Sequence, residues 1–222
     1  MTGGKQNIHL NETPLFRGLA SDEINDFLSK ANALVRHFRK ADYIYLAGDC
    51  VENLCVVLSG TVQMIKEDIW GDKSIIANLG KGSVFAENFL GKRGDRSLVS
   101  YFAASDSEVL MVPMGKMLGS GFVMGNRQLM CNMVSVLADN NTQLIEKAEV
   151  LCKKTLRGKV LTYLGQEAER QHSNTVEVPF NRTDLANYLD ADRSALTREL
   201  AKMREDGLID FEKNTFTLLK KS

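Results

Sequence analysis

The stretch that most constrains this chain runs from Asn181 to Ile209 and reads NRTDLANYLDADRSALTRELAKMREDGLI. Polar Asn181–Arg182–Thr183 precedes a short apolar set, Leu185, Ala186 and Leu189. Thr183 backed by Asp184 has the composition of an N-cap, so a helix of about two turns is expected here. Asp190–Ala191–Asp192 breaks the periodicity, and a second helix restarts with Arg193. Its apolar residues Ala195, Leu196, Leu200 and Met203 share one face of a 3.6-residue period. Arg193, Ser194, Thr197, Arg198 and Lys202 project from the opposite side. Two helices joined by a turn of about three residues form a helix-turn-helix, whose second helix fits the major groove. Two ordinary amphipathic helices would show the same apolar spacing. The discriminating feature is that basic and hydroxyl residues line the face the core does not use. Arg can take both acceptors of guanine in a bidentate fork, and Ser and Thr can reach bases or phosphates. Arg182 and Thr183, at the start of the first helix, join them as candidate DNA contacts. Gly207 closes the second helix, and Leu208 to Leu219 alternates around a polar Lys213–Asn214 turn, which reads as a wing.

The chain has 222 residues, enough for two domains with sizeable cores. Lys and Arg number 28 and so do Asp and Glu, which argues against histone-like coating of nucleic acid but leaves room for a local basic face. From Lys153 onward there are thirteen basic against eleven acidic residues, so a DNA reading rests on placement rather than net charge. No apolar run approaches the roughly twenty residues of a membrane span, and the N-terminus lacks a signal-peptide core. A soluble, cytoplasmic protein with no membrane partner is expected. Cys50, Cys55, Cys131 and Cys152 are scattered without CxxC spacing, as for structural free thiols in a reducing compartment.

In chain order, residues 1–9 are polar and read as a frayed end. Ser21–Asp22–Glu23 signals a helix through about Ala33, burying Leu19, Ile24, Phe27 and Leu28. From Leu34 to Pro113 the texture changes to short β-rich runs (Val35–Phe38, Tyr43–Leu46, Leu54–Leu58, Thr61–Lys66, Ser74–Asn78, Leu98–Ala103, Val109–Val112). Glycines 48, 60, 71, 80, 82, 91 and 94 punctuate them. Such spacing predicts an antiparallel sandwich or jelly roll. Asn126 to Leu151 is one long helix in which Met130, Leu137, Leu144 and Leu151 recur at intervals of seven, with Val134, Asn141 and Ala148 as the second series. That 3.5-residue period predicts a coiled-coil seam, with polar Asn141 setting register. The competing reading lays this helix on its own roll. Cys152–Lys153–Lys154 marks a boundary, and Leu156, Val160, Leu161 and Leu164 open the last domain.

The pattern NRxxLAxYLxxDRSALTRELxKM resembles the helix-turn-helix of CRP/FNR-type bacterial regulators. Gly48–Asp49, Leu58–Ser59–Gly60 and Gly82-x-x-Phe85-x-Glu87 independently resemble the effector-binding roll of that family. The resemblance implies an α+β chain. A β-roll of jelly-roll type spans 1–125, a dimerisation helix 126–152, and a winged helix-turn-helix 153–222. It implies a ligand-modulated transcription regulator that binds a palindromic operator in double-stranded DNA as a homodimer and engages RNA polymerase. Met130, Val134, Leu137, Asn141, Leu144 and Leu151 would form the dimer contact. No catalytic or metal-binding residue is assigned.

For the effector, the resemblance points to a pocket of Phe85, Glu87, Asn88, Arg96, Ser97, Leu98, Leu144 and Ile145. Cyclic-nucleotide members follow their Glu by an Arg-Ser pair that begins ten residues later and holds the cyclic phosphate. Here those places fall on Ser97 and Leu98, with Arg96 one position early. One step along a strand turns a side chain to the other face, so Arg96 points away unless a bulge near Gly94 restores it. The polar pair that reads the base in cyclic AMP receptors becomes Leu144–Ile145. Cyclic AMP is therefore not the expected effector, and some other small molecule is. The first forty residues hold no cysteine, against the iron–sulfur centre of the oxygen-sensing members. Haem would have only His9 or His37 to bind it. A cupin-type metal enzyme on the same roll needs converging imidazoles, yet His9, His37 and His172 all lie off the strands from Tyr43 to Val112. A cyclic-nucleotide-binding module that regulates a partner enzyme would leave the helix-turn-helix and wing without a use.

Overall fold

Each expected apolar run becomes a strand, within a residue or two at either end. The computed structural model describes residues 10–89, 95–119 and 125–219. Residues 1–9 with His9, residues 90–94 with Gly91 and Gly94, and the side chain of Asn88 lie outside the described residues. The strands are β1 (Leu34–Phe38), β2 (Tyr43–Tyr45), β3 (Asn53–Ser59), β4 (Val62–Glu67), β5 (Lys73–Leu79), β6 (Val84–Phe85), β7 (Ser100–Ala103) and β8 (Ser107–Pro113). They form two four-stranded antiparallel sheets, ordered β1-β8-β3-β6 and β2-β7-β4-β5. The inner strand β3 is buried from Leu54 to Leu58, which explains its unbroken apolar run. The sheets meet through Phe85 of β6 and Tyr101 of β7, with ring centroids 4.9 Å apart. Gly60 is irreplaceable at the β3–β4 turn. Its φ is +80°, and a Cβ there would lie 2.2 Å from the Asp106 carbonyl oxygen.

Helix α1 (Ser21–Ala31) buries Ile24 and Phe27 and lies against β8 and against α2 (Met114–Gly119). It starts one residue earlier than the capping signal suggested. Ala20 is the N-cap, and the Glu23 carboxylate accepts its backbone N–H at 2.9 Å. It also stops two residues short of Ala33, because Asn32 turns left-handed (φ 54°) and its N–H caps the Leu28 and Ser29 carbonyls.

The long helix α3 (Arg127–Cys152) is amphipathic in two senses. Leu129, Asn132, Met133, Val136, Lys147 and Val150 are buried within their own units, whereas Met130, Val134, Leu137, Asn141, Leu144, Ala148 and Leu151 are exposed. Asn132 reaches across sequence to donate to the Leu15 and Arg17 carbonyls at 3.0 and 2.8 Å. The rest comprises α4 (Leu156–Gln171), β9 (Thr175–Glu177), α5 (Arg182–Leu189), α6 (Arg193–Glu205), β10 (Ile209–Glu212) and β11 (Thr215–Leu218). Strands β10, β11 and β9 make a third antiparallel sheet, in that order. The chain divides into two compact units, residues 1–66 with 78–141, and residues 67–77 with 142–222. Among the described residues no helix is long and apolar enough to cross a membrane.

Candidate nucleic-acid interface

Helix α5 is capped by Asn181, not by Thr183 as its composition suggested. The Asn181 side-chain oxygen accepts the N–H groups of Thr183 and Asp184, both at 2.9 Å, and its amide donates to the Asp184 carboxylate. A cap oxygen must precede the N–H groups it satisfies by two or three residues, and Asn181 stands at that distance. Asp190 makes the turn in a left-handed conformation (φ 50°), and Asp192 caps α6 by accepting the Ala195 N–H at 2.8 Å. Leu185, Ala186 and Leu189 of α5 are buried with Leu196, Leu200 and Met203 of α6. Arg157 of α4 pins the second helix from below. Its guanidinium pairs with Glu199 and with Asp206, each at 2.6 Å.

This packing leaves Arg193, Ser194, Thr197, Arg198 and Lys202 exposed on one face of α6. Two of their hydroxyls are already oriented. Thr197 donates back to the Arg193 carbonyl at 2.9 Å, which leaves its oxygen lone pairs and methyl group facing outward. Ser194 donates to the Asp192 carboxylate, and that bond, with the Ala195 N–H, holds the carboxyl below its usual range. The helix thus carries a carboxylate just before Arg193 as well as cations along its length.

Arg182 does different work from its expected neighbours. Its guanidinium lies over the Phe216 and Phe211 rings, 4.8 and 5.2 Å from their centroids, and donates to the Lys213 carbonyl at 2.5 Å. Burial pushes this guanidinium below its ordinary value. Arg204 covers Phe211 from its own side at 4.5 Å and donates to the Phe211 carbonyl. The wing is therefore clamped by two arginines. Thr183 remains exposed at the N-terminus of α5. Arg157, Arg204 and the capping role of Asp192 were not among the residues expected from sequence. The second and third lie at helix ends where composition alone would have suggested them.

In the roll, the Glu87 carboxylate accepts the Asn140 amide of α3 at 2.8 Å, and the same amide donates to the Val84 carbonyl at 3.1 Å. Asn140 carried no signal in the seam pattern, because it lies on the flank of that seam, seven residues from buried Met133 and from buried Lys147. Ala86, between Phe85 and Glu87, holds a left-handed φ of 65°, a strained position for a residue with a Cβ. Burial, aided by the Glu87 charge, pushes the Tyr101 phenol up. Ser97 is buried, its N–H donates to the Asp49 carbonyl at 2.8 Å, and its hydroxyl donates to the Val99 carbonyl at 2.6 Å. Arg96 is exposed and spends its guanidinium on the Gly48 carbonyl at 2.7 Å. Leu98, expected beside Ser97, is a correction. It is 81% exposed, because neighbours along an extended segment alternate sides. Leu144 and Ile145 are exposed on α3.

The cyclic nucleotide-binding domain model matches residues 35–120, and the Crp-like helix-turn-helix domain model matches residues 158–222. The chain belongs to the CRP/FNR family. Over 98 residues it is 35% identical to the cyclic AMP receptor protein of Thermus thermophilus, a match spanning 44% of each chain. Over 87 residues it is 40% identical to the voltage-gated delayed rectifier potassium channel KCNH1 of Rattus norvegicus, covering 37% of this chain and 8% of the channel. The chain thus matches less than half of the length of either relative. The c-di-GMP responsive global regulator CLP of Xanthomonas campestris shares the fold at a TM-score of 0.73 and 18% identity, over 91% of this chain and 100% of that one.

Proposed function

We propose that this family member is a DNA-binding transcription regulator that reads a palindromic operator as a homodimer and answers to a small molecule other than cyclic AMP. The carrying observation is the exposed row of Arg193, Ser194, Thr197, Arg198 and Lys202 on a helix fixed by its cap, its buried face and Arg157. Arginines on the outer face of such a helix match guanine edges, while Lys202 and Thr183 match phosphates. Arg182 serves the same interface from behind by holding the wing. Functionally the chain divides into a sensing roll (1–125), a dimer helix (126–152) and a reading head (153–222).

The exposed seam of α3 supports the homodimer. Met130, Val134, Leu137, Leu144 and Leu151 are large apolar side chains left uncovered at coiled-coil spacing. Two heads held by such a helix would read half-sites about 34 Å apart. A cytoplasmic regulator of this kind would act through RNA polymerase, as the family resemblance implies, and no enzymatic role is proposed. The effector reading rests on two observations. Leu98 faces outward with Arg96 committed to a backbone carbonyl, and Glu87 already carries the Asn140 amide. Selection of bound sequences from random duplex DNA tests the core of the proposal. A palindrome should emerge, and recovery of no enriched sequence would reject it.

A further inference from the structure

Asp192 is a carboxylate beside a row of cations, and no part of the DNA reading so far uses it. It stands exposed at the N-cap of α6, one residue before Arg193. The Ser194 hydroxyl donates to it at 2.5 Å and the Ala195 N–H at 2.8 Å. Both bonds end on the same oxygen, Oδ1, so the side chain is fixed in direction and its second oxygen is open to a donor from outside. Capping alone does not call for the charge. Asn181 caps α5, the other helix of the motif, with a neutral amide oxygen that takes two N–H groups at 2.9 Å. Asn, Asp and Ser are about equal in that role. The attraction of an anion for a helix start applies equally to both caps. Yet the charged cap stands on the helix whose outer face carries Arg193, Arg198 and Lys202.

We propose that Asp192 is a specificity-determining residue, whose carboxylate accepts the exocyclic amino group of one cytosine in each half-site. The inference rests on the proposed DNA-reading role of α6. A reading helix brings its N-terminal residues to the base edges, so Asp192 lies in the part of α6 that meets them. There it approaches two rows of phosphates, and a carboxylate held among them is tolerated only where it finds a donor. Two bases present an amino group in the major groove. Adenine sets its own beside the N7 acceptor, which repels a carboxylate, whereas cytosine presents the N4 amino group alone. Thymine offers the O4 acceptor and a methyl group, and guanine two acceptors. Arg193 and Arg198 supply compensating charge. Arg193 is the next residue, and the Arg198 charge already acts on the Asp192 carboxyl. Asp192 stands two residues nearer the helix start than Ser194, about 3 Å along the axis. That is about one base step, so the cytosine belongs to a neighbour of the base pair that Ser194 faces.

Selection from random duplex DNA, run in parallel on the whole chain as wild type, Asp192→Asn and Asp192→Ser, tests this. Both substitutions keep a capping oxygen, so the melting temperature should stay close to that of wild type. A residue that only capped the helix would leave the selected sequence the same as well. Wild type should instead select one cytosine per half-site that neither variant selects. In titrations, exchanging that cytosine for thymine should weaken wild type about tenfold or more, and each variant less than about threefold. Selection of the unchanged wild-type palindrome by both variants overturns the proposal and leaves the regulator reading standing. So does a wild type indifferent to the exchange, or a preference lost in the variants for a base other than cytosine. If wild type enriches no sequence, the regulator reading itself falls, and this assignment with it.

Discussion

Arg182 and Arg198 belong to the same head, yet their surroundings divide their work. Arg198 is exposed on α6, with no clamp on its guanidinium in a cap or wing, and is free to meet a base edge. Its replacement by Ala should cost about 1–3 kcal/mol of operator binding and relax preference at one base position. Titration against single-base operator variants checks this, and a uniform loss across all variants would contradict it. Arg182 lies over two rings and bonds the Lys213 carbonyl. Arg182→Ala should lower thermal stability by about 0.5–2 kcal/mol through the lost cation–π contacts. Its affinity loss should be the same for every operator variant. Ser194 matters by what it is not. Family members usually carry Glu there, which accepts from cytosine, and the hydroxyl here is tied to Asp192. The selected operator should differ from the family consensus at that base pair, and recovery of the unaltered consensus would refute the assignment.

At the scale of the element, α3 packs on its own chain and also carries the proposed dimer seam. One face lies against its own chain through Leu129, Met133 and Val136, and the other exposes the seam from Met130 to Leu151. A helix that only covered its roll would have no reason to keep Val134 62% exposed. Leu137→Glu combined with Leu144→Glu would place four like charges in one parallel seam, which the apolar contacts could not offset. Light scattering should find a monomer for the double variant and a dimer for wild type. A monodisperse dimer for the variant would rule out the seam as drawn.

For the molecule as a whole, the question is whether membership of a cyclic-nucleotide-binding family carries the nucleotide with it. A cyclic phosphate needs an inward cation or a helix N-terminus. Among the described residues, Arg96 is exposed and donates to the Gly48 carbonyl, and the outward Leu98 offers no charge. Burying a phosphate without its cation costs several kcal/mol, more than apolar contact with adenine returns. Calorimetric titration of cyclic AMP into the whole protein should show no binding with a dissociation constant at or below about 10 μM. Such binding would refute the exclusion, and Ser97→Arg with Leu98→Ser would then show whether the one-residue offset matters.

Periodicity and punctuation carried much of this fold. Seven of the eight roll strands, the helix-turn-helix with its following hairpin, and the apolar spacing along α3 were legible, because each is written in a local pattern, whereas the two-residue β6 is too short to show one. Properties that depend on residues distant in sequence were not. No local pattern shows that Asn140 meets Glu87, that Arg157 joins Glu199 to Asp206, or that Arg182 turns back beneath the wing. Lys147 was silent for the same reason, since a lysine in a long helix reads as a solvated charge. Only the tertiary packing buries it, with its ammonium over the Tyr188 ring. The sequence determined which elements form and which faces are apolar, because those preferences are local. The tertiary structure decided which polar groups are buried together, because that depends on what each face is brought to meet.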